Sequence, residues 1–128
     1  MIIYAAGPWK YRHEVNQVAE QYKAKGHQVI SRWHSEWADQ DDAHITEAQK
    51  RDEAEKDVAD VMACQVMVVL NWEKSEGKAV EQGIAIARHT PIIVVGAASN
   101  VFHSLASVKC VNSFAESLGA LAELEDYL

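Results

Sequence analysis

One carboxylate, Glu81, stands among small and apolar residues within the stretch S-E-G-K-A-V-E-Q-G-I-A-I-A, residues 75–87. Between Val80 and Ala87 it is the one charged residue, whereas a solvated helix face carries several. Gly77 and Gly83 flank it, and Val80, Ile84, Ala85 and Ala87 surround it. A carboxylate desolvated by such neighbours has a raised pKa, while the N-terminus of a helix pulls the other way. This placement points to a functional carboxylate rather than an exposed helix acid. Other candidates lie elsewhere along the chain. Tyr4 supplies a hydroxyl just before Gly7-Pro8-Trp9, where a glycine lets the backbone approach a ligand. Arg12, one turn further on, can reach an anion. Asp57 and Asp60 are spaced i, i+3 and so share a helix face, which by spacing alone is a solvated acidic face. Ser99 and Asn100 lie in a short polar loop, with Ser99 suited to an N-cap. Trp33, Trp37 and Trp72 fall in loops or at strand ends, where rings can stack on a planar base or anchor a loop.

The elements that must position these residues follow from the pattern. Ile2 to Ala6 is a β-branched-rich run closed by Gly7-Pro8, which predicts a strand and a turn. Trp9 to Lys25 has helical spacing, with Val15, Val18, Ala19 and Tyr22 on one face, and Gly26 stops it. His27 to Trp33 reads as a second strand, His34 to Asp42 as an acidic loop, and Ala43 to Ala63 as a long helix. Gln65 to Asn71, with V-M-V-V-L inside, is apolar on both faces, as a central parallel strand should be. Gly77 to Arg88 is a helix, Pro91 to Gly96 a buried strand, Val101 to Leu105 a helical turn, Val108 to Val111 a last strand and Phe114 to Leu128 a last helix. This alternation predicts an α/β fold: a flavodoxin/Rossmann-like three-layer sandwich on a five-stranded parallel sheet of order 2-1-3-4-5. Ligands bind beyond the carboxyl ends of such strands, and these ends are Gly7-Pro8, Trp33, Asn71-Trp72 and Gly96-Ala97. Glu81, about one helical turn after Gly77, should face that crevice.

With 128 residues the chain suits one domain and one core, residues 1–128. Twelve Lys and Arg against nineteen Asp and Glu give a formal net charge of −7, which argues against a nucleic-acid polymer as partner. Small anions remain possible ligands through backbone N–H groups. Cys64 and Cys110 lack metal-ligand or redox spacing and read as reduced core thiols of a cytoplasmic protein. No apolar run reaches membrane-span length, and M-I-I-Y-A-A reads as a first strand rather than a signal peptide. The six histidines are scattered, no metal cluster is visible, and they read as surface or supporting residues.

Taken in order, these pieces resemble the nucleoside 2-deoxyribosyltransferase superfamily, which includes deoxynucleoside-monophosphate N-glycosidases. The resemblance runs through Ile3-Tyr4-Ala5-Ala6-Gly7-Pro8, Ser31-Arg32-Trp33, Asp57 with the V-M-V-V-L strand after it, G-K-A-V-E-Q-G-I-A-I-A, P-I-I-V-V-G and Asn100-Val101-Phe102, over nearly the whole chain. It implies that Glu81 attacks C1′ of a 2-deoxyribose and releases the base, with transfer of the sugar to a second base or to water and overall retention. It implies that Asp57 is the second acid and that Tyr4 orients the nucleophile. Gly7, Pro8, Trp9, Arg12, Trp33, Asn71, Ser75, Gly77, Ser99 and Asn100 are the substrate-binding residues expected. The spacing of Ser75 to Glu81 resembles the monophosphate glycosidases, where a serine meets the 5′-phosphate. The resemblance further implies a homodimer or higher homo-oligomer in which Ser99 or Asn100 reaches a neighbouring subunit's site, a role in nucleotide salvage, and no cofactor. Two features depart from the glycosidase pattern. The first loop is G-P-W-K-Y-R rather than Gly-rich with an adjacent arginine, and Lys78-Ala79 stands where a second glycine would sit.

Rival readings share the fold. A non-catalytic nucleotide-binding or signalling module would keep the Gly7 loop and have no need of a buried Glu81. A receiver domain needs an acidic pair after the first strand and an Asp after the third, where this chain has Gly7-Pro8 and Asn71-Trp72. A flavodoxin would have a Ser/Thr-rich phosphate loop after the first strand, which is missing. A TIR-like NAD glycohydrolase also uses a catalytic glutamate and is separated by its substrate.

Overall fold

The computed structural model describes residues 1–37, 39 and 44–128. Five strands, β1 (Ile2–Ala6), β2 (Gln28–Val29), β3 (Val66–Leu70), β4 (Ile92–Val95) and β5 (Val108–Val111), form one parallel sheet in the order β2-β1-β3-β4-β5. The helices are α1 (Arg12–Ala24), α2 (Trp33–Glu36), α3 (Glu47–Ala63), α4 (Glu76–Ala87) and α5 (Phe114–Glu125). Every residue of β3 is buried, as its apolar run requires for a strand covered on both faces. On one face α1 meets α5, where the Tyr22 and Ser117 hydroxyls lie 2.7 Å apart. On the other, α3 packs beside α4. The core is the middle of the sheet, with Ile3, Tyr4, Met67, Val68, Ile93 and Val94 almost fully buried. No helix of the described residues is long and apolar enough to cross a membrane.

The boundaries differ from expectation for physical reasons. The second strand was expected over residues 27–33, but its ladder to β1 covers only Gln28–Val29. Beyond Ile30, side chains replace the strand. The Ala5 N–H donates to Ser31 Oγ at 3.1 Å, and the Trp33 indole donates to the Ala5 carbonyl at 2.8 Å. With Ala5 satisfied in this way, the chain turns into α2 where a loop was expected. Ser31 in turn bonds His34 Nε2 at 2.7 Å, and His34 Nδ1 bonds Asn16 at 2.8 Å. Burial pushes the His34 pKa down to about 4, so the ring is a neutral strut. The expected loop over 34–42 and the start of the next helix at Ala43 fall partly on Ala38 and residues 40–43, which lie outside the described residues. Helix α3 begins at Glu47 behind a Thr46/Gln49 capping box, a T-x-x-Q signal present in the sequence. The first helix is preceded by a 3₁₀ turn, Trp9–Tyr11. Asn100, not Ser99, caps the 3₁₀ helix Val101–Ser104, accepting from the Phe102 N–H. Cys110 is exposed on the edge strand β5, so only Cys64 is a core thiol.

Gly7 has a packing role in addition to opening the backbone. A Cβ at this position would stand 2.6 Å from Val15 Cγ2, a buried side chain of α1. Without it α1 packs close to the end of β1. Gly7→Ala should therefore destabilise the protein by about 1–3 kcal/mol, through overpacking. Denaturant unfolding at unchanged m-value reads this directly. Wild-type stability would show that Val15 and α1 have room to retreat.

Candidate active site

Glu81 lies in the second turn of α4, beside the carboxyl ends of β1 and β3, and lines a crevice of about 240 Å³. The fully buried Tyr4 on β1 donates its hydroxyl to Glu81 Oε2. Burial, together with the Glu81 charge, holds the Tyr4 phenol far above its ordinary pKa, so it remains a donor. Glu81 Oε1 accepts no hydrogen bond from the described residues. It lies 3.9 Å from where a side chain at Gly77 would begin, one turn earlier on α4. Glycine at 77 thus leaves this oxygen uncovered. Burial pushes the Glu81 pKa up to about 8. The Tyr4 bond opposes that rise, the Asp57 charge adds to it and the Lys78 charge opposes it.

Asp57 on α3 lines the same crevice. Burial, with the charges of Asp60 and Glu53, raises its pKa to about 7 against the pull of Arg32. Its Oδ1 is buried with no hydrogen-bond partner among the described residues. Asp60, its i+3 neighbour, has a different task. It accepts from the Arg32 N–H at 3.2 Å, from Nε at 3.1 Å and from the guanidinium terminus at 2.9 Å. That clamp fixes the turn that carries Trp33. The pair therefore divides into one acid facing the crevice and one holding the backbone.

Aromatic rings form the rest of the wall. Trp9 and Trp33 are tilted against one another with centroids 6.3 Å apart, and Trp37 lines the crevice under the Lys56 ammonium. Arg12 is placed against Trp9: it donates to the Trp9 carbonyl at 3.1 Å and its guanidinium lies 4.6 Å from the ring centroid. It stiffens an aromatic wall and lines neither cavity of the site. Pro8 is buried beneath the 3₁₀ turn. Trp72 is edge-on to Tyr11 and half-exposed.

A second, larger cavity of about 450 Å³ adjoins the crevice and shares Ser75 and Lys78 with it. Asn71, Ser99 and Asn100 line it. Asn71 Nδ2 donates to the Ala97 carbonyl at 2.8 Å and to Ser99 Oγ at 3.2 Å. Ser75 is the N-cap of α4, its Oγ accepting from the Lys78 N–H at 3.1 Å. His103 is buried behind the loop, taking the Ser99 N–H on Nδ1 at 3.0 Å and meeting Gln82 at 2.8 Å through Nε2. The structure thus gathers Tyr4, Gly7, Trp9, Trp33, Asp57, Gly77 and Glu81 at the crevice, and Asn71, Ser75, Ser99 and Asn100 at the cavity. Sequence reasoning missed Lys78, Gln82 and His103 as parts of the site. For Lys78 there was a signal, a charge three residues before Glu81 on the same helix face.

The sequence matches the family model described as nucleoside 2-deoxyribosyltransferase over residues 3–124. Three solved structures are similar to the chain. A CMP N-glycosidase from Clostridium botulinum is 18% identical, with 95% of this chain and 98% of that one covered and a TM-score of 0.59. A 2-deoxyribosyltransferase from Bacillus psychrosaccharolyticus is 16% identical, with 91% and 90% covered and a TM-score of 0.70. A conserved protein from Enterococcus faecalis V583 is 18% identical, with 100% and 99% covered and a TM-score of 0.63. At these identities the likeness is one of fold. No curated protein matches the sequence.

The electrostatics of Glu81 have a consequence for stability. A carboxyl whose folded pKa is raised stabilises the fold fully below its ordinary value of 4.5, and that contribution is lost as pH rises through about 8. Glu81→Gln, neutral throughout, should match wild type near pH 4.5 and exceed it in stability above about pH 8. Denaturation midpoints across this window test it; a wild-type protein that keeps pace with Glu81→Gln at the alkaline end would contradict a desolvated carboxylate.

Proposed function

The chain belongs to the nucleoside 2-deoxyribosyltransferase family, and on that premise we propose that it cleaves the N-glycosidic bond of a 2-deoxynucleoside or its 5′-monophosphate through a glycosyl ester on Glu81. The observation that carries this reading is the asymmetry of the Glu81 carboxylate, with Oε2 held by Tyr4 and Oε1 uncovered. Oε1 attacks C1′, and the electron pair of the C1′–N bond leaves with the base. Protonated Asp57 delivers its proton to the departing base. In the second half the Asp57 carboxylate takes a proton from the water or base that attacks C1′, the ester C–O bond breaks to return the Glu81 carboxylate, and the configuration is retained. Water yields the free sugar, so the protein acts as a glycosidase; a base yields a new nucleoside, so it acts as a transferase.

The working form, Glu81 ionised and Asp57 protonated, is the less populated of the two one-proton states, since burial raises Glu81 further than Asp57. Both pKa values are raised toward neutrality, to about 8 and about 7, and the two groups interact, so the limbs of a pH profile belong to the pair. The rate constant kcat/KM should rise as the pair loses its first proton and fall as it loses its second, giving a bell centred in the neutral range. Asp57→Asn should abolish the falling limb and lower kcat by about 10²-fold or more. A profile with its falling limb intact in Asp57→Asn would assign the acid elsewhere.

The direct assay is base release from a panel of 2-deoxynucleosides and their 5′-monophosphates, with NAD as a further substrate, with and without an acceptor base. Wild type should release base and Glu81→Gln should not. Free base without acceptor identifies the glycosidase, and a new nucleoside only with acceptor identifies the transferase. Release that persists in Glu81→Gln removes Glu81 as nucleophile, and no release by wild type leaves a binding module.

Assembly as a homodimer completes the reading. Val80 on α4 is 63% exposed, and Val101 and Phe102 beside the site loop are 78% and 60% exposed. Phe102 shares an apolar groove with Ala79, Gly83 and Ile86 of α4. Burying this face against a second copy removes it from water. Light scattering should show a dimer for wild type and a monomer for Phe102→Glu; a monomeric wild type would contradict the assembly.

A further inference from the structure

The loop over residues 97–100 carries Ser99 and Asn100 into the wall of the larger cavity. It leaves β4 through Gly96, whose φ of +127° suits glycine, and a Cβ there would stand 3.2 Å from the Asn71 carbonyl oxygen. Its far end is the 3₁₀ helix Val101–Ser104, which brings His103 back beneath it. His103 is buried, 6% exposed. Its Nδ1 accepts the Ser99 N–H at 3.0 Å, and its Nε2 lies 2.8 Å from Gln82 Oε1. The Gln82 amide nitrogen donates to the Lys78 carbonyl at 3.0 Å, which turns the amide oxygen toward the imidazole. Each of these donors has its own acceptor only if the ring is neutral and carries its proton on Nε2. Burial lowers the His103 pKa and the Lys78 charge lowers it further, so the neutral ring is the favoured form.

Gln82 follows Glu81 directly on α4. The bonds therefore run from the helix that carries the carboxylate, through Gln82 and His103, to the backbone of the loop. A second path ties the same loop to the end of β3. Asn71 Nδ2 donates to the Ala97 carbonyl at 2.8 Å and to Ser99 Oγ at 3.2 Å, while Asn71 Oδ1 accepts from the Lys78 ammonium at 2.8 Å. Asn71 lines the cavity and holds the loop from the ligand's side. His103 lines neither cavity of the site and holds the loop from behind, where a lost bond is not replaced by water. It acts on a ligand only through Ser99 and Asn100. We propose that His103 is a positioning residue of this site: its neutral imidazole latches the loop 97–100 to α4, so that the cavity wall keeps its register with Glu81 and a ligand need not order the loop on binding. The effect on turnover rests on the reading of Glu81 as the attacking group; the latch itself does not.

Two variants of one shape test it. His103→Asn and His103→Leu branch alike at Cγ, but only asparagine sets an acceptor at the Nδ1 position. Amide hydrogen exchange read by NMR should find the Ser99 N–H protected in wild type and in His103→Asn, and exchanging about tenfold faster or more in His103→Leu. In the base-release assay His103→Leu should raise KM about tenfold or more, as loss of a buried hydrogen bond implies, and leave kcat within about threefold. His103→Asn should keep KM within about threefold of wild type. Equal KM increases in the two variants would reduce His103 to a packing residue and overturn the proposal, and so would a Ser99 amide that exchanges at the unprotected rate in wild type. The ring nitrogen chemical shifts of wild-type His103 decide even where a variant fails to fold. The proton belongs on Nε2; a proton on Nδ1 at neutral pH overturns the latch. Ser99 protection that depends on residue 103, with no base released from any substrate, would sink the glycosidic reading and leave the latch standing. Base release with a KM unmoved by His103→Leu would do the reverse.

Discussion

The bond from Tyr4 to Glu81 is the interaction on which the rest of the site depends. It joins the sheet to a helix, so the geometry of the Glu81 carboxylate is set by the most buried part of the fold. Tyr4 pairs with Met67 across β1 and β3 and cannot move without disturbing that ladder. Its hydroxyl fixes one carboxylate oxygen and leaves the other bare. A donor in a buried site also favours the charged form, offsetting part of the desolvation that burial imposes on Glu81. The carboxylate is thereby poorly solvated and still able to ionise, the condition a nucleophile of this type needs.

Around that bond the charges fall into two groups. Beyond burial, the Asp57 charge raises the Glu81 carboxyl and the Asp60 and Glu53 charges raise that of Asp57, while the Arg32 charge acts against this at Asp57 and the Lys78 charge at Glu81. Arg32 is committed to Asp60, and the clamp holds the turn on which Trp33 stands. Asp57 is left with an unsatisfied oxygen beside the crevice. A buried acceptor without a donor is unfavourable in the empty site, and a proton or a substrate group relieves it. The Asp57 oxygen and Lys78, which is held by Asn71 and the Glu73 carbonyl, both border the crevice of Glu81.

Much of this was legible in the sequence. V-M-V-V-L and P-I-I-V-V-G are apolar on both faces and mark the central strands, and the β/α alternation with right-handed crossovers and five strands pointed to the observed order. Glu81 stood out because its neighbours are small and apolar, and Tyr4 because it lies on the strand ending in Gly7. The second strand was read too long because a β-pattern does not reveal that Ser31 and Trp33 spend their side chains on the Ala5 backbone. Arg12 was expected to be able to reach an anion, and the sequence does not show that it also lies on Trp9. Asp57 and Asp60 look alike in sequence; only Arg32, distant along the chain, separates them. Lys78 was passed over because a lysine in a first helical turn ordinarily reaches water, and here Asn71 and the Glu73 carbonyl hold it inside.

The most direct test of the central claim is to trap the sugar on the protein. A 2-deoxynucleotide analogue with fluorine at C2 of the sugar slows both half-reactions by destabilising the oxocarbenium-like transition state. Intact mass and peptide mapping after brief incubation and an acid quench should show one glycosyl group on the peptide containing Glu81, and none in Glu81→Gln. Base release by the wild type with no adduct on Glu81, or with the sugar attached to another residue, would contradict it.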